Sequence, residues 1–283
     1  MRDGRLRLNL LVAAVALVLL EQGPTPGLLA FAPAQQPAEK TVPDSVRLFI
    51  PYTPYSQEDN QRVLAMYKYL RVADVSDGMD AVGLQDVGLV APEIRALWKD
   101  TDTFSHRVAG IAVTARYVPT NRREPKMDDK TIGRWYSTVT SEAFMDVLRP
   151  GSVLVIDAME DGESRSIGSS NIQSWQKRGM VGLVTSGGLA DTDEIIHQKV
   201  PVYFRRLARG IRPGRNELES VNRPVTIGGV LVRPGDIVMA DGDGVVVVPR
   251  ERAEEVATAA LPFLDNIARE RYIKETGKNP WKK

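Results

Sequence analysis

Apolar residues first fall into a helical rhythm at Val63, Leu64, Met66, Tyr67 and Leu70. Spacings of three and four place them on one face, and Ser56-Gln57-Glu58 ahead of them supplies a capping hydroxyl and an acidic first turn. A helix is therefore predicted from Ser56 to about Leu70. A shorter one follows over 73–83, ended by Gly83. Residues 107–118 then alternate strongly enough to form a strand. The polar stretch 121–130 reads as a loop, and 136–148 fits a helix. Pro150-Gly151 turns the chain into a buried strand over 153–156.

The next stretch, 158–171, reads as a loop, followed by a helix over 172–177 that Gly179 ends. Residues 182–195, GLVTSGGLADTDEI, read as a strand, a glycine turn at Ser186-Gly187-Gly188 and the start of a helix over 191–198. A strand over 201–204 leads into an arginine-rich loop reaching Asn222. Residues 225–232 form a hairpin, and 237–240 and 245–248 flank the turn Asp241-Gly242-Asp243-Gly244. A last helix spans about 250–273. Strands first alternate with helices and then cluster, which predicts an α/β class with a mixed sheet. No internal repeat and no linker after residue 57 are visible, so 57–283 is expected to be a single α/β domain with a C-terminal helix.

The extreme N-terminus has a different pattern. Arg2, Arg5 and Arg7 precede an unbroken apolar run from Leu10 to Leu20. The run is too short for the ~20 residues that span a bilayer. With Ala32-Pro33-Ala34 as exit, it reads as a signal peptide over 1–34, cleaved after Ala34 on export to the periplasm or beyond; the long exit region from Glu21 to Ala34 leaves an uncleaved anchor as the other reading. Residues 35–56 are rich in Gln, Pro, Ser and Thr and read as a flexible tether. Once the leader is removed, no membrane span is expected.

Composition narrows the chemistry. Lys+Arg number 37 and Asp+Glu 36, so no global field favours nucleic acid. The basic pairs Arg122-Arg123 and Arg205-Arg206 lack an aromatic ladder, which argues against a nucleic-acid partner. The absence of cysteine excludes disulfides, thiolate metal sites and cysteine nucleophiles. Two histidines, His106 and His197, are too few for a histidine-built metal centre. Any metal should be a hard, oxygen-seeking ion such as Mg²⁺ or Mn²⁺.

An ordered set of short motifs carries a resemblance. Gly151-Ser-Val-Leu-Val-Ile-Asp157, Gly168, Gly179-Met-Val-Gly182, Gly187 and Asp191 come first. Pro201-Val-Tyr-Phe204, Ile227-Gly-Gly-Val230, Pro234-Gly-Asp236 and Asp241-Gly-Asp-Gly-Val-Val-Val-Val-Pro249 follow. Over roughly residues 57–275 the chain resembles the regulator of ribonuclease activity A-like family. That family includes 4-hydroxy-4-methyl-2-oxoglutarate aldolases and also carries the label demethylmenaquinone methyltransferase-like; nothing in the chain resembles a methyl-donor site. The resemblance implies a layered α/β/β sandwich with mixed sheets and a homotrimer, sometimes paired to a hexamer. It also implies a divalent-metal lyase that cleaves a carbon–carbon bond in pyruvate-derived 2-oxo acids, by aldol cleavage or decarboxylation.

Carried over residue by residue, the family's metal-anchoring aspartate falls on Asp191. The arginine before it falls on Ala190, and the first aspartate of that stretch on Ser186. The loop that holds the substrate carboxylate through backbone N–H groups falls on Gly168-Ser169-Ser170-Asn171, with Ser169 where the family has an acid. The chain thus keeps one carboxylate, loses the arginine and replaces the second acid by a hydroxyl. Structural readings stand beside these. Asp191 with Glu194 also reads as an N-cap with its partner. Asp241 and Asp243 read as turn formers, and Asp74, Ser76 and Asp77 as part of a helix start. Asp157 ends a strand near the site. Glu160, Asp161 and Glu163 are substitute ligands or solvated loop, and His197 is a surface or packing residue. Arg205, Arg206 and Arg209 either replace the missing charge or form a rim. Two functions follow: an altered lyase, or a non-catalytic exported oligomer that binds a small acid or a protein.

Overall fold

The computed structural model describes residues 55–124, 126–158 and 162–282. The leader at 1–34 and the tether at 35–54 lie outside the described residues, as do Glu160 and Asp161. Two helices come first, α1 (Gln57–Tyr67) and α2 (Val72–Ala81), then strands β1 (Arg95–Ala96) and β2 (Val108–Pro119) and helix α3 (Asp129–Arg134). Next come β3 (Ser152–Asp157), β4 (Arg165–Ile167), α4 (Ser169–Gln176), β5 (Met180–Leu189), α5 (Thr192–His197) and β6 (Val202–Leu207). Strands then cluster as β7 (Asn216–Val221), β8 (Val225–Ile227), β9 (Val230–Val232), β10 (Ile237–Asp241) and β11 (Gly244–Val248). Helices α6 (Ala253–Ala260) and α7 (Asn266–Thr276) end the chain.

The main sheet runs in the order β1-β6-β5-β3-β2-β10-β11, with β4 added to β5 and β7 to β2. The steps β2–β3, β3–β5 and β5–β6 are parallel, and β2–β10 and β10–β11 antiparallel, so the sheet is mixed. Period-two alternation sorts its side chains into layers. On one face Leu154 and Ile156 of β3 pack with Ile172 and Trp175 of α4 and Ile195 of α5. Farther along, Ile237 and Met239 of β10 meet Val63, Val75 and Val256 from α1, α2 and α6. On the other face Val153, Val155, Val238 and Ala240 pack against Val225, Ile227, Val230 and Val232 of the β8–β9 hairpin. The result is the α/β/β layering that the family resemblance implies. Leu154 and Ile156 are fully buried, and each such side chain stabilises the fold by roughly 1.5–3 kcal/mol. Among the described residues, no helix is long and apolar enough to cross a membrane.

Several elements depart from the sequence expectation. Ser186-Gly187-Gly188 is not a turn: β5 continues through it to Leu189, with an irregularity in its pairing to β6 between Thr185 and Gly188. The expected loop at 158–171 contains β4 and the first turn of α4, because three residues suffice to add a strand beside β5. The expected arginine-rich loop likewise contains the end of β6 and all of β7. The predicted helix over 136–148 is a π turn at Trp135–Val139 followed by a 3₁₀ turn at Ala143–Asp146. The last helix is broken: Pro262 sits in a 3₁₀ turn, Leu261–Phe263, and Asp265 caps α7 afresh by accepting from the Ala268 N–H.

Candidate functional site

Strands β3 and β5 run parallel, and β5 extends past the end of β3 to Leu189, at the carboxyl end of the parallel strands where open α/β sheets bind ligands. Three segments converge there: the end of β5 with Ala190 and Asp191, the start of α4, and β4 between them. Asp191 has a left-handed backbone, φ 54° and ψ 40°. An aspartate tolerates that conformation better than most residues. It also turns the carboxylate away from its own helix, so the expected cap with Glu194 does not form: no side-chain cap bond is made at α5. The carboxylate crosses instead to α4. Asp191 Oδ2 accepts a hydrogen bond from the Ser169 backbone N–H at 3.1 Å. Twenty-two residues of sequence separation close into one site.

Gly168 makes the approach possible. A Cβ at this position would lie 2.6 Å from Asp191 Oδ2, inside any tolerable contact. Its φ of −138° suits any residue, so the glycine is needed for space rather than for backbone conformation. Gly188 does the same for β4: a Cβ there would meet the Ser164 carbonyl oxygen at 2.3 Å. Strand β4 therefore runs tightly along β5, with Arg165 opposite Gly188 and the Ala190 N–H donating to the Ile167 carbonyl.

This packing brings in a cation that the sequence reading missed. Arg165 Nη1 lies 3.8 Å from Asp191 Oδ1, and both side chains are partly exposed, at 41% and 38%. Reading 158–171 as loop concealed it. The short Arg165-Ser166-Ile167 alternation was the available signal.

Behind α4 lies a polar anchor. Asn171 Nδ2 donates to Glu142 Oε1 at 2.6 Å and Trp175 Nε1 to Glu142 Oε2 at 2.8 Å. The fully buried Arg212 pairs with Glu142 at 3.4 Å, donates to the Ser166 and Thr140 carbonyls, and lies over the Tyr117 ring. Burial pushes the Tyr117 hydroxyl up to about 12, which keeps it protonated. The Asn171 side chain is thus spent on fixing α4. Ser169 acts through its N–H, and Ser170 is exposed.

The remaining candidates separate. Ser186 Oγ contacts Asp157 Oδ1 at 3.3 Å and accepts from the Ala158 N–H at 3.0 Å, tying the ends of β3 and β5 together. Asp157 also lies 3.7 Å from Arg116. Glu163 pairs with Arg209 at the surface. His197 is exposed at the far end of α5. Among the described residues, Arg205, Arg206 and Arg209 form no ion pair with Asp191. Asp241 accepts from the Asp243 N–H and from the Val72 N–H at the start of α2, so it forms its turn and also braces a helix. Asp74 accepts from the Arg71 N–H in a capping box. A cavity of about 120 Å³ lies at the opposite end of the sheet, lined by Tyr55, Gln57, Asn60, Arg149 and Ser152.

The donor chemistry bears on a divalent ion. Among the described residues, no three His, Cys, Asp or Glu side chains gather as a metal cage. Asp191 keeps an oxygen free of hydrogen bonds and partly exposed, which fits a hydrated Mg²⁺ held by one carboxylate and completed by ligand oxygens.

Comparison with known proteins agrees with the fold. Residues 72–247 match the family model described as RraA-like: Aldolase/RraA. A protein of Halalkalibacterium halodurans named "Putative 4-hydroxy-4-methyl-2-oxoglutarate aldolase" is 33% identical over 129 residues, 44% of this chain and 60% of that protein. Protein DlpA of Legionella pneumophila is 28% identical over 191 residues, 67% of this chain. The chain spans only 28% of DlpA's length. The crystal structure of Streptomyces coelicolor RraAS2, described as an unusual member of the RNase ES inhibitor RraA protein family, superposes with a TM-score of 0.59 at 22% identity. That match covers 76% of this chain and 98% of RraAS2 and speaks for the fold alone.

Proposed function

Because the chain belongs to the RraA-like family, we propose that it is a divalent-metal-dependent carbon–carbon lyase of pyruvate-derived 2-oxo acids with an altered active site. One observation carries the reading: the hydrogen bond from the Ser169 N–H to Asp191, which joins the candidate metal ligand to the candidate carboxylate cradle. Asp191 would hold Mg²⁺ or Mn²⁺, which when bound supplies positive charge for an enolate oxygen. The Ser169 N–H is held by Asp191, and the N–H groups of Ser170 and Asn171 in the first turn of α4 would receive an incoming carboxylate, where the helix dipole favours negative charge. In the reaction, the carbon–carbon bond next to the enolate carbon breaks. Its electron pair passes into the 2-oxo acid as an enolate. The other fragment leaves as carbon dioxide or, after its hydroxyl proton is lost to water, as a carbonyl compound. A proton from water then completes pyruvate.

The test is turnover of oxaloacetate and of 4-hydroxy-4-methyl-2-oxoglutarate, with Mg²⁺, with Mn²⁺ and with chelator. Metal-dependent pyruvate release that Asp191→Asn abolishes is expected. No release from either acid, with the folded protein still binding pyruvate, would support the second reading, a non-catalytic binding oligomer. That reading is favoured by Ala190 and Ser169, which lack the charges that the resemblance assigns to those positions. We further propose self-association in threes, and export behind a leader cleaved after Ala34. N-terminal sequencing of envelope-fraction protein tests the cleavage, and a retained Met1 would reject it.

A further inference from the structure

We propose that Arg165 is the anion-binding cation of this site, standing in for the arginine that residue 190 lacks. The inference rests on the site reading above and adds a specificity-determining residue to it. Three observations carry it. Strand β4 is pinned to β5, with Arg165 opposite Gly188 and the Ile167 carbonyl bonded to the Ala190 N–H, so the Arg165 backbone is fixed beside Gly188 and its side chain spans the distance to Asp191. The guanidinium reaches Asp191 Oδ1 at 3.8 Å, longer than a hydrogen bond. The pair is therefore loose, and the guanidinium can turn onto a ligand without first breaking a good bond. At 41% exposure the side chain is open to solvent.

The chemistry selects the ligand class. A guanidinium offers two parallel N–H donors that match a carboxylate or adjacent keto and carboxylate oxygens. Asp191 alone would repel such an anion. Arg165 offsets that charge, and the α4 N–H groups approach from the other side. The site is thereby suited to a small planar oxo acid bearing a carboxylate, and poorly suited to a neutral sugar or an amine.

The experiment is calorimetric titration with oxalate, a planar stand-in for the enolate of pyruvate, with and without Mg²⁺. It compares the full-length protein, Arg165→Ala, Arg165→Lys, and the double variant Arg165→Ala with Ala190→Arg. Thermal melting is recorded for each. The inference expects Arg165→Ala to weaken oxalate by about tenfold to hundredfold, the loss of one charge-assisted contact, with melting unchanged. Arg165→Lys should keep part of the affinity, and the double variant should recover most of it. Equal oxalate affinity in the parent and Arg165→Ala would overturn this inference and leave the site reading intact. Weakened binding with a matching fall in melting and no recovery in the double variant would also overturn it, since Arg165 would then be structural. No oxalate binding by the parent protein would overturn both.

Discussion

At residue scale, Gly168 and Asp191 depend on each other. Gly168→Ala places a methyl group 2.6 Å from Asp191 Oδ2, so the carboxylate must leave the Ser169 N–H. Calorimetry should show pyruvate affinity in the presence of Mg²⁺ falling at least about tenfold, while urea melts show a loss of roughly 0.5–1.5 kcal/mol from the weakened start of α4. Unchanged affinity would place ligand binding elsewhere. Asp191→Asn keeps an oxygen for the Ser169 N–H and tolerates the left-handed backbone, so it should fold normally and lose metal coupling. Asp191→Ala loses both and should cost roughly 1–3 kcal/mol. His106 gives a separate, pH-dependent prediction. Burial, and then the Arg107 charge, hold its pKa below the ordinary 6.5, and its Nδ1 accepts from the Asp100 N–H. On acidification from about pH 6.5, the unfolded chain therefore takes up this proton before the folded one does. Stability should fall as pH drops below that value, and His106→Asn should flatten this limb in denaturant melts at stepped pH. Asp191 and Gly168 were singled out from the sequence, while Gly187 and Gly188 were misread as a turn. The direction of the Asp191 carboxylate was not legible, because only its backbone conformation sends it to α4 rather than to Glu194.

The elements show where local signals failed. Helix α4 is held from behind by Glu142, which accepts from both Asn171 and Trp175 and pairs with the buried Arg212. Glu142→Ala would leave Arg212 charged and buried without its acid, a loss of about 3–5 kcal/mol that chemical denaturation would measure. A loss below about 1 kcal/mol would mean that the Ser166 and Thr140 carbonyls suffice for the guanidinium. Such an anchor leaves no periodic trace, since Glu142 sits in a 3₁₀ approach and Arg212 in a connection between β6 and β7. Strands such as β2 and β3 were legible because an apolar, β-branched run bounded by turns is buried on both faces of the sheet. Strand β4 was not: three residues are too few for a period, and only its neighbour β5 makes it a strand. The helix expected at 136–148 failed for a related reason. Tyr117 and Arg212 draw the backbone carbonyls of that stretch into tertiary contacts, with Tyr117 donating to the Ser141 carbonyl and Arg212 to that of Thr140.

For the whole molecule, the mixed sheet between a helical layer and a hairpin layer followed from the order of elements and from the family resemblance, and the packing of β3 and β10 shows why. The proposal of assembly in threes rests on that resemblance alone. Light scattering of the leader-free protein should give a mass three times the chain's, or a multiple of three. A stable monomer at about micromolar concentration, where obligate oligomers stay associated, would refute the proposal.

The central claim is that a 2-oxo acid binds at the start of α4 beside Asp191. Amide chemical shifts of the isotopically labelled protein, followed during titration with pyruvate and Mg²⁺, test this most directly. The account predicts that the largest movements fall on Ser169, Ser170, Asn171, Ala190 and Asp191, and that Asp191→Asn suppresses them. Movements confined to the cavity around Asn60 and Ser152, or absent from the α4 start, would contradict it.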